Sequence, residues 1–303
     1  MTQNLGLHRF SVFTAFATFC LIIAGALVTS NDAGLSVPDW PLSYGQFMPP
    51  MIGGIFYEHG HRMIASFVGL LTVVLALWLW RAESRGWVKK LGWAALAAVI
   101  AQGVLGGLTV LFLLPTAISV SHACLAQLFF SMVVTLAVVT SPGWRRLQAA
   151  EPLPDQRAPS LRHLSLAAGI AVFAQLLLGA AFRHKAAGIV PHLIGAAVVA
   201  ALVVWIVARV MEGYASEPAI FRWALALNAL VMLQLALGAG AYWIRHLTAD
   251  APQPLFPMVL ITVSHVAMGA AILALSVVLI LQVHARVSAA SADVDKQSVP
   301  ATS

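Results

Sequence analysis

The chain alternates long apolar segments with short polar ones along most of its 303 residues. A helix that crosses a lipid bilayer needs about 20 mostly apolar residues, at a rise of about 1.5 Å per residue. Eight segments meet this length: residues 10–30, 62–81, 91–113, 117–140, 163–183, 191–210, 221–243 and 258–283. None shows the period of two that is typical of a barrel strand, so the pattern predicts an all-helical protein with eight transmembrane helices.

Composition indicates that the protein lies in a lipid bilayer, and the distribution of charge predicts its orientation there. Hydrophobic residues make up 60% of the chain and charged residues only 9%, which is typical of an integral membrane protein. Of the seventeen Lys and Arg residues, only Arg62, Arg183, Lys185 and Arg245 fall on one side; the other thirteen fall on the opposite side. The positive-inside rule then predicts cytoplasmic termini and an outer loop at 31–61. The net charge of +6 therefore reflects topology and does not indicate nucleic-acid binding. No presequence of the mitochondrial type precedes the first helix, which favours a bacterial plasma (inner) membrane.

The second half of the chain repeats the first. His61 opens one helix as His192 opens another, 131 residues later, and SHACLAQ in the first half corresponds to SHVAMGA in the second. A Gln-xxx-Gly pattern recurs from Gln102, Gln175 and Gln234, and close helix packing is the simplest interpretation of its small residues. Each half has four helices, which predicts two pseudo-symmetric four-helix bundles. The expected parts are an N-terminal bundle (1–145), a cytoplasmic linker (146–162), a C-terminal bundle (163–285) and a disordered cytoplasmic tail (286–303).

Four histidines lie near the outer ends of four different predicted helices, two in each half. They are His61, His122, His192 and His265. A single histidine in a membrane could simply hydrogen-bond a neighbour, but four at matched depth, in pairs, favour ligation. Zinc requires three or four protein ligands at one centre, whereas two imidazoles from facing helices suit the axial positions of a haem iron. The pattern therefore predicts one haem site in each bundle.

A carboxylate stands beside only one of these pairs. Glu58 and His61 are three residues apart, so they share a helix face if the helix begins by residue 58. At the matching offset the second half has Ile189 in place of Glu58 and Leu193 in place of Arg62. One interpretation is a simple ion pair between Glu58 and Arg62 at the membrane surface. The other is a proton acceptor, or a stabiliser of positive charge, in a haem site that performs chemistry.

Three further polar residues near the outer surface keep open assignments. His59 points about 200° away from His61 around the helix, so it cannot serve the same iron and is expected to have a structural or supporting role. Arg183 and Arg245 close two helices at the outer surface. Interfacial anchoring is the simpler interpretation for both, and neutralisation of a haem propionate is the alternative.

Together these motifs make the chain resemble the haem A synthase family, membrane enzymes that convert haem O to haem A for cytochrome oxidase. The resemblance extends from about residue 10 to residue 284. It rests on GLSVPDWP in the first outer loop, on EHGHR with Glu58, His61 and Arg62, and on the histidines of SHACLAQ, PHLIGA and SHVAMGA. Some members carry a cysteine pair in that loop, and residues 31–61 have none, so any role of the pair is absent here.

The resemblance implies an oxidoreductase that oxidises the C8 methyl group of haem O to a formyl group, with a b-type haem in the other half. It implies that the four histidines are haem ligands and that Glu58 is important for catalysis; we expect Arg62 to contribute to haem binding. Haem O and haem A would lie in the N-terminal half and haem b in the C-terminal half. Haem O synthase and cytochrome oxidase assembly factors are candidate partners, and a homo-oligomer stays open.

Two other functions fit the same residues. A non-enzymatic dihaem cytochrome b would carry electrons between two permanently bound haems and leave the haem type unchanged. A transporter would use the repeat to frame a central path and the histidines to relay protons.

Overall fold

The computed structural model describes residues 4–155 and 157–288, and within these ranges the chain folds into nine α-helices without a β-strand. All of them except α5 are long and apolar enough to cross a membrane. In chain order they are α1 (Leu5–Ser30), α2 (Gly54–Ala82), α3 (Gly86–Leu111), α4 (Thr116–Val139), α5 (Pro142–Ala149), α6 (Leu161–Arg183), α7 (Ile189–Gly213), α8 (Pro218–Leu247) and α9 (Phe256–Arg286). The predicted all-helical membrane protein with eight spans is confirmed.

The helices differ in extent from the apolar segments that predict them, for local reasons. Helix α2 begins at Gly54, ahead of the apolar segment at 62–81. The segment leaves out the first two turns of the helix because these turns carry polar residues. Helix α3 ends at Leu111, before the end of its segment, because Leu113 and Leu114 adopt left-handed backbone angles (φ 58°) in the turn that follows. A hydropathy pattern delimits neither end, because the first turns of α2 are polar and the turn after α3 is apolar.

The short helix α5 is a feature that the pattern does not predict. Its sequence, PGWRRLQA, is too short and too polar to form an apolar segment. Ser141 caps it by accepting a hydrogen bond from the main-chain N–H of Trp144, and the Trp144 side chain is buried. The predicted linker at 146–162 therefore starts inside a helix that packs on the bundle.

The membrane helices form two groups of four. In the first group α1, α2, α3 and α4 pack in succession, and α4 also packs on α1. In the second group α6, α7, α8 and α9 do the same, and α9 packs on α6. Between the groups, α9 contacts both α1 and α4, and α4 contacts α6. These contacts have the form expected of an internal repeat, while the symmetry axis itself remains a prediction.

Apolar packing continues from one group of helices into the other. The buried cluster of the first four helices includes Ala270 of α9, which is fully buried. In contrast, large apolar side chains such as Phe16, Leu70 and Ile100 are at least 60% exposed, as expected for residues that face lipid. The proposed bundles at 1–145 and 163–285 thus share an apolar interface, and their boundaries stay predictions.

A buried ion pair fixes the segment between α5 and α6. Asp155 accepts a hydrogen bond from Arg209 of α7 at 3.0 Å and another from the main-chain N–H of Leu161 at 2.5 Å. Arg209 also donates to the carbonyl of Pro159 at 2.7 Å. Both charged side chains are at most 8% exposed, so the segment is docked against α7.

The end of α9 corrects the predicted start of the C-terminal tail. The tail was expected to begin at Arg286, but Arg286 is the last helical residue and Val287 is buried. Leu153 donates its main-chain N–H to the carbonyl of Arg286, and Ser288 donates to the carbonyl of Leu153. Backbone pairing therefore extends to Ser288, and the rest of the predicted tail, 289–303, lies outside the described residues.

Replacing Asp155 with Asn should destabilise the protein, because it leaves the Arg209 guanidinium buried without a counter-charge. We expect the free energy of unfolding to fall by about 3–5 kcal/mol, measured as a lower unfolding temperature of the purified protein in detergent. Glu212→Gln is the matched control, because its pair with Arg157 is exposed and worth about 0–1 kcal/mol. Equal effects of the two substitutions would contradict the prediction.

Candidate functional site

The four predicted ligand histidines all lie on the side of the molecule that carries the loop at 31–53, here termed the loop side. His61 is in α2, His122 in α4, His192 in α7 and His265 in α9. Each pair therefore comes from the second and fourth membrane helices of its group, as the repeat predicts.

In the C-terminal group the two histidines face each other. The ring centroids of His192 and His265 are 6.2 Å apart, with their planes at 72°. Two imidazoles that bind one metal from opposite sides, with metal–nitrogen bonds of about 2 Å, have ring centres about 6 Å apart. The observed spacing is thus that of an axial ligand pair.

The N-terminal pair is arranged more loosely. His61 and His122 are close enough to interact electrostatically, but among the described residues their rings make no direct ring–ring contact comparable with that of His192 and His265. Nδ1 of His61 and Nδ1 of His122 are both buried without a hydrogen-bond partner. Among the described residues, a ring–ring contact therefore joins the C-terminal pair and not the N-terminal pair.

A glycine on the preceding helix lies against each histidine ring. A Cβ atom added at Gly179 or Gly238 would come within 3.0 Å of Cε1 of His192 or His265. In the first half, an added Cβ would come within 3.2 Å of His61 at Gly25 and within 3.3 Å of His122 at Gly106. Any larger side chain would displace the rings, so these glycines serve the histidines as well as close helix packing.

Glutamine amides contact three of the four rings. Gln102 Nε2 lies 3.3 Å from Nε2 of His122, and Gln234 Nε2 lies 3.3 Å from Nε2 of His265. Gln175 Nε2 lies 3.0 Å from Nδ1 of His192. The recurring Gln-xxx-Gly pattern thus places an amide and a glycine, one helical turn apart, against the same imidazole.

These donors fit a haem iron. A buried polar atom is normally hydrogen-bonded, yet Nδ1 of His61, His122 and His265 has no partner. A ligand imidazole uses one nitrogen for the metal and the other for a supporting hydrogen bond. Among the described residues, no three His, Cys, Asp or Glu side chains lie close enough together to hold a metal ion by themselves. The donor set in each half is a pair of imidazoles.

Glu58 lies within α2, so it shares a helix face with His61, and it also forms an ion pair with Arg62. The carboxylate is buried, with its Oε1 2.7 Å from the guanidinium of Arg62. Its Oε2 accepts a hydrogen bond at 2.8 Å from the main-chain N–H of Val37. The ion-pair interpretation therefore describes the observed contact, and the carboxylate lies one helical turn from the histidine as well.

Arg62 connects this ion pair to the loop. Besides contacting Glu58, it donates to the main-chain carbonyls of Asp39 at 2.7 Å, Leu42 at 2.9 Å and Val37 at 3.3 Å. Among the described residues, no other side chain forms hydrogen bonds with as many main-chain groups of the 31–53 loop. The guanidinium, which presents five donors in a fixed plane, is suited to this task.

Other loop contacts seat the loop on the helices. His59 Nδ1 lies 2.8 Å from the hydroxyl of Ser43, which assigns His59 the supporting role expected of it. The ring of Trp40 lies on the backbone of Gly107 in α3, where an added Cβ would come within 2.6 Å of it. The loop therefore closes over the first group of helices.

Asp39 holds the turn of this loop. Its carboxylate accepts the main-chain N–H groups of Tyr44 at 2.7 Å and Gly45 at 2.8 Å. The hydrogen bond from Gly45 is the largest of the causes that lower the pKa of Asp39 below its ordinary value. Because that pKa is lowered, the turn is stabilised at neutral pH, and this stabilisation is lost as the pH falls below about 4.

The two outer arginines have different surroundings. Arg183, at the end of α6, donates to the hydroxyl of Ser30 at 2.7 Å and to the carbonyl of Ala26 at 3.4 Å, both in α1. It therefore links the two groups of helices rather than only anchoring α6 at the lipid surface. Arg245 is exposed and makes no hydrogen bond among the described residues.

Several site residues are not identifiable from the sequence by itself. Gly25 has no glutamine one turn before it, because Leu21 takes that position, so the Gln-xxx-Gly pattern does not mark it. Val37 and Ser43 act through a main-chain N–H and a hydroxyl in a loop, and no spacing rule indicates either. The three glutamines were visible as a repeat, but only the fold shows that they contact the histidines.

Known proteins resemble this chain over much of its length. A family model described as "Cytochrome oxidase assembly protein" (COX15-CtaA) matches residues 8–54 and 52–192. A protein named "Heme A synthase" from Symbiobacterium thermophilum is 34% identical over 174 residues, which are 55% of this chain and 55% of the relative. One of the same name from Alkalihalophilus pseudofirmus is 32% identical over 137 residues, or 44% of this chain and 46% of the relative. Another, from Geobacillus kaustophilus, is 25% identical over 267 residues, or 77% of this chain and 81% of the relative.

The first two of these matches are partial. The chain spans about half the length of these curated relatives, 55% and 46%.

Replacing Arg62 with Lys should loosen the loop while it keeps a positive charge beside Glu58, because a lysine cannot reach the three carbonyls together. Each lost hydrogen bond is worth about 1 kcal/mol, so the loop amides should exchange with deuterium about 10-fold faster or more. Hydrogen–deuterium exchange of peptides covering residues 37–46 measures this. Arg245→Lys is the control on the same side; unchanged protection in the Arg62 variant would refute the anchoring role.

Proposed function

Because the chain belongs to the COX15-CtaA family of cytochrome oxidase assembly proteins, we propose that it is a membrane oxidoreductase that converts haem O to haem A. The C8 methyl group of haem O is oxidised to a formyl group, with the oxygen atom taken from water and with four protons and four electrons released, the electrons passing to an electron acceptor outside this chain. The single observation that carries this proposal is the presence of two partly buried imidazole pairs, of which only one has an acid beside it. Haem A then serves cytochrome oxidase.

The C-terminal pair would hold haem b as the resident cofactor. His192 and His265 have the ring spacing of an axial pair, 6.2 Å, and each has a glutamine amide against it. Haem b, when bound, supplies reversible one-electron chemistry. The protein keeps both imidazoles in place between apolar helices.

The N-terminal pair would hold the substrate haem. His61 and His122 come from the equivalent helices of the first half, so both sites are built from the same parts. Ile189 and Leu193 occupy the positions of Glu58 and Arg62 in the second half and can neither accept a proton nor hold a loop. This chemical difference supports the assignment of catalysis to the first half.

Glu58 is the candidate catalytic residue of that half. Two donors, the N–H of Val37 and the guanidinium of Arg62, each use one acceptor position of its carboxylate. A carboxylate has about four such positions, so Oε1 and Oε2 both keep a lone pair for a proton lost from the methyl group or from water. Its negative charge also stabilises positive charge that develops on the substrate.

Arg62 would act by positioning. It fixes the Glu58 carboxylate through the ion pair and fixes the loop through the carbonyls of Asp39, Leu42 and Val37. The loop then covers the first group of helices, which limits access of bulk water to a reactive substrate. A contribution of Arg62 to haem binding is the further role that the family resemblance suggests.

The setting of the reaction follows from the topology. We place the loop side outside a bacterial plasma (inner) membrane and both termini in the cytoplasm, because of the distribution of Lys and Arg. Haem O synthase is the expected source of the substrate, and cytochrome oxidase assembly factors are the expected recipients of the product.

Replacing Glu58 with Gln should stop haem A formation while haem stays bound, because Gln keeps an acceptor for the Val37 N–H but loses the charge. General-base or electrostatic roles are worth about 10²–10⁴-fold in rate. Haems extracted from cells that express the variant, separated by chromatography, should contain haem O or a hydroxylated intermediate in place of haem A.

Two controls accompany this experiment. Ile189→Gln places the same amide at the equivalent position of the second half and should leave haem A formation nearly unchanged. If Glu58 only anchors the loop, Arg62→Lys should reduce haem A as strongly as Glu58→Gln does, which would contradict a catalytic carboxylate. A normal rate of haem A formation in Glu58→Gln, or haem O left unconverted by the unaltered protein, would favour an electron-carrying cytochrome b instead.

Replacing His192 or His265 with Ala should remove haem b selectively, because a single remaining imidazole cannot form the axial pair. The purified variant should lose the low-spin absorbance of the C-terminal haem and keep haem in the N-terminal site. His246→Ala is the control, since His246 lies on the same side but makes an edge contact with Tyr242, with ring centroids 4.6 Å apart. An unchanged spectrum in both ligand variants would refute the assignment of this site.

A further inference from the structure

The supports of the four histidine rings differ at one position. His122, His192 and His265 each have a glutamine amide within 3.0–3.3 Å of a ring nitrogen. His61 has none: Leu21 occupies the equivalent place, one turn before Gly25, and the ring of His61 faces the main chain of Leu21. Of the described residues, no side chain hydrogen-bonds the His61 ring.

We propose that the three glutamines are positioning residues for the haem ligands, and that Leu21 leaves His61 as the one releasable ligand, so that the N-terminal site exchanges its haem while the C-terminal site retains it. This inference rests on the proposed function, since a substrate must enter and a product must leave the site where it reacts. It adds a structural cause for the different behaviour of two sites that are otherwise built alike.

The glutamines have the chemistry of a supporting partner. The side-chain oxygens of Gln102, Gln175 and Gln234 are buried and lack hydrogen-bond partners. At Gln234, rotation of the amide about its last bond brings that oxygen to the ring nitrogen, where it accepts the N–H of a ligated imidazole. Gln102 and Gln175 hold their rings through the amide nitrogen, which also donates to the main-chain carbonyl of the same histidine. A hydrogen bond of this kind fixes the ring orientation and makes the other nitrogen a better ligand, which is worth about 10–100-fold in metal affinity.

Packing between helices does not account for these amides fully. Gln102 and Gln175 also donate to the main-chain carbonyls of His122 and His192, at 2.9 and 2.8 Å, which ties adjacent helices together. Among the described residues, Gln234 hydrogen-bonds only the ring of His265. The feature common to all three is the contact with the imidazole, and Leu21 is the one departure from it.

The spacing of the histidine rings also supports the proposal that His61 is the releasable ligand. In the C-terminal group, where both histidines have an amide, the rings lie at the 6.2 Å spacing of an axial pair. In the N-terminal group, where only His122 has one, the rings do not make such a contact among the described residues. The side chain of Leu21 neither donates nor accepts a hydrogen bond, so the His61 ring, which faces the main chain of Leu21, can turn away from an iron without leaving a polar side chain unsatisfied.

The test measures haem release from the full-length protein, independently of catalysis. Purified protein is loaded in both sites with ferric protohaem and mixed with an excess of apomyoglobin, which takes up the haem that dissociates. Unaltered protein should release haem in a fast phase from the N-terminal site and a slow phase from the C-terminal site. His192→Ala, which lacks the C-terminal pair, identifies the fast phase.

Leu21→Gln should slow the fast phase about 10–100-fold, because it adds the missing amide beside His61. Leu21→Met has a side chain of similar size without a hydrogen-bonding amide and should release haem as the unaltered protein does. Gln234→Leu should accelerate the slow phase by a similar factor and shift the electron paramagnetic resonance g-values of the C-terminal haem, whereas Gln234→Glu should restore slow release. A purely structural role would leave the g-values unchanged.

Two outcomes overturn the inference: a fast phase that is the same in Leu21→Gln and Leu21→Met, or a slow phase and g-values that Gln234→Leu leaves unchanged. If Leu21→Gln fails to fold, Gln102→Leu tests the same site in reverse, and an unchanged fast phase in that variant also overturns it. Because protohaem is the probe, haem release is measured without any turnover. Loss of the proposed function would appear as unconverted haem O in the Glu58 experiment, and the two failures are therefore distinguishable.

Discussion

Each histidine ring lies edge-on against a glycine of the preceding helix, because a larger residue would leave no room for an imidazole between two packed helices. The separations that an added Cβ would have from Cε1, 3.0–3.3 Å at Gly25, Gly106, Gly179 and Gly238, show how closely the rings approach the main chain. A polar ring buried among apolar helices is costly unless its nitrogens are used. Because of that cost, the ring nitrogens without a hydrogen-bond partner indicate positions where a ligand would bind.

One ion pair distinguishes the two halves. In the first half Glu58 and Arg62 connect α2 to the 31–53 loop through the main-chain N–H of Val37 and three main-chain carbonyls. Glu58, the catalytic residue in our proposal, therefore also helps to fix the loop that covers its site. In the second half apolar residues stand at both positions. In our proposal a single charged pair thus combines catalysis and enclosure of the site in one bundle, and the other bundle has neither.

The two groups of helices also depend on each other. Helix α9 packs on α1 and α4, and Ala270 belongs to the buried cluster of the first group. On the loop side Arg183 of α6 donates to Ser30 of α1. In the proposed reaction, electrons that leave the substrate in one half would cross this packed, apolar interface rather than open solvent, which suits transfer between the two proposed haem sites.

The sequence by itself determined the eight membrane helices, the internal repeat, the four histidines and the unmatched Glu58, because length, hydropathy and spacing along one chain encode all of these. It did not determine α5, the docking of the linker through Asp155, or the end of α9, because these depend on partners remote in the chain. Gln102, Gln175 and Gln234 were visible as a pattern, yet their contact with the rings, and its absence at Leu21, required the packing of neighbouring helices. Side-chain direction and helix rotation are set by the whole bundle, so only the tertiary structure could decide which polar groups meet.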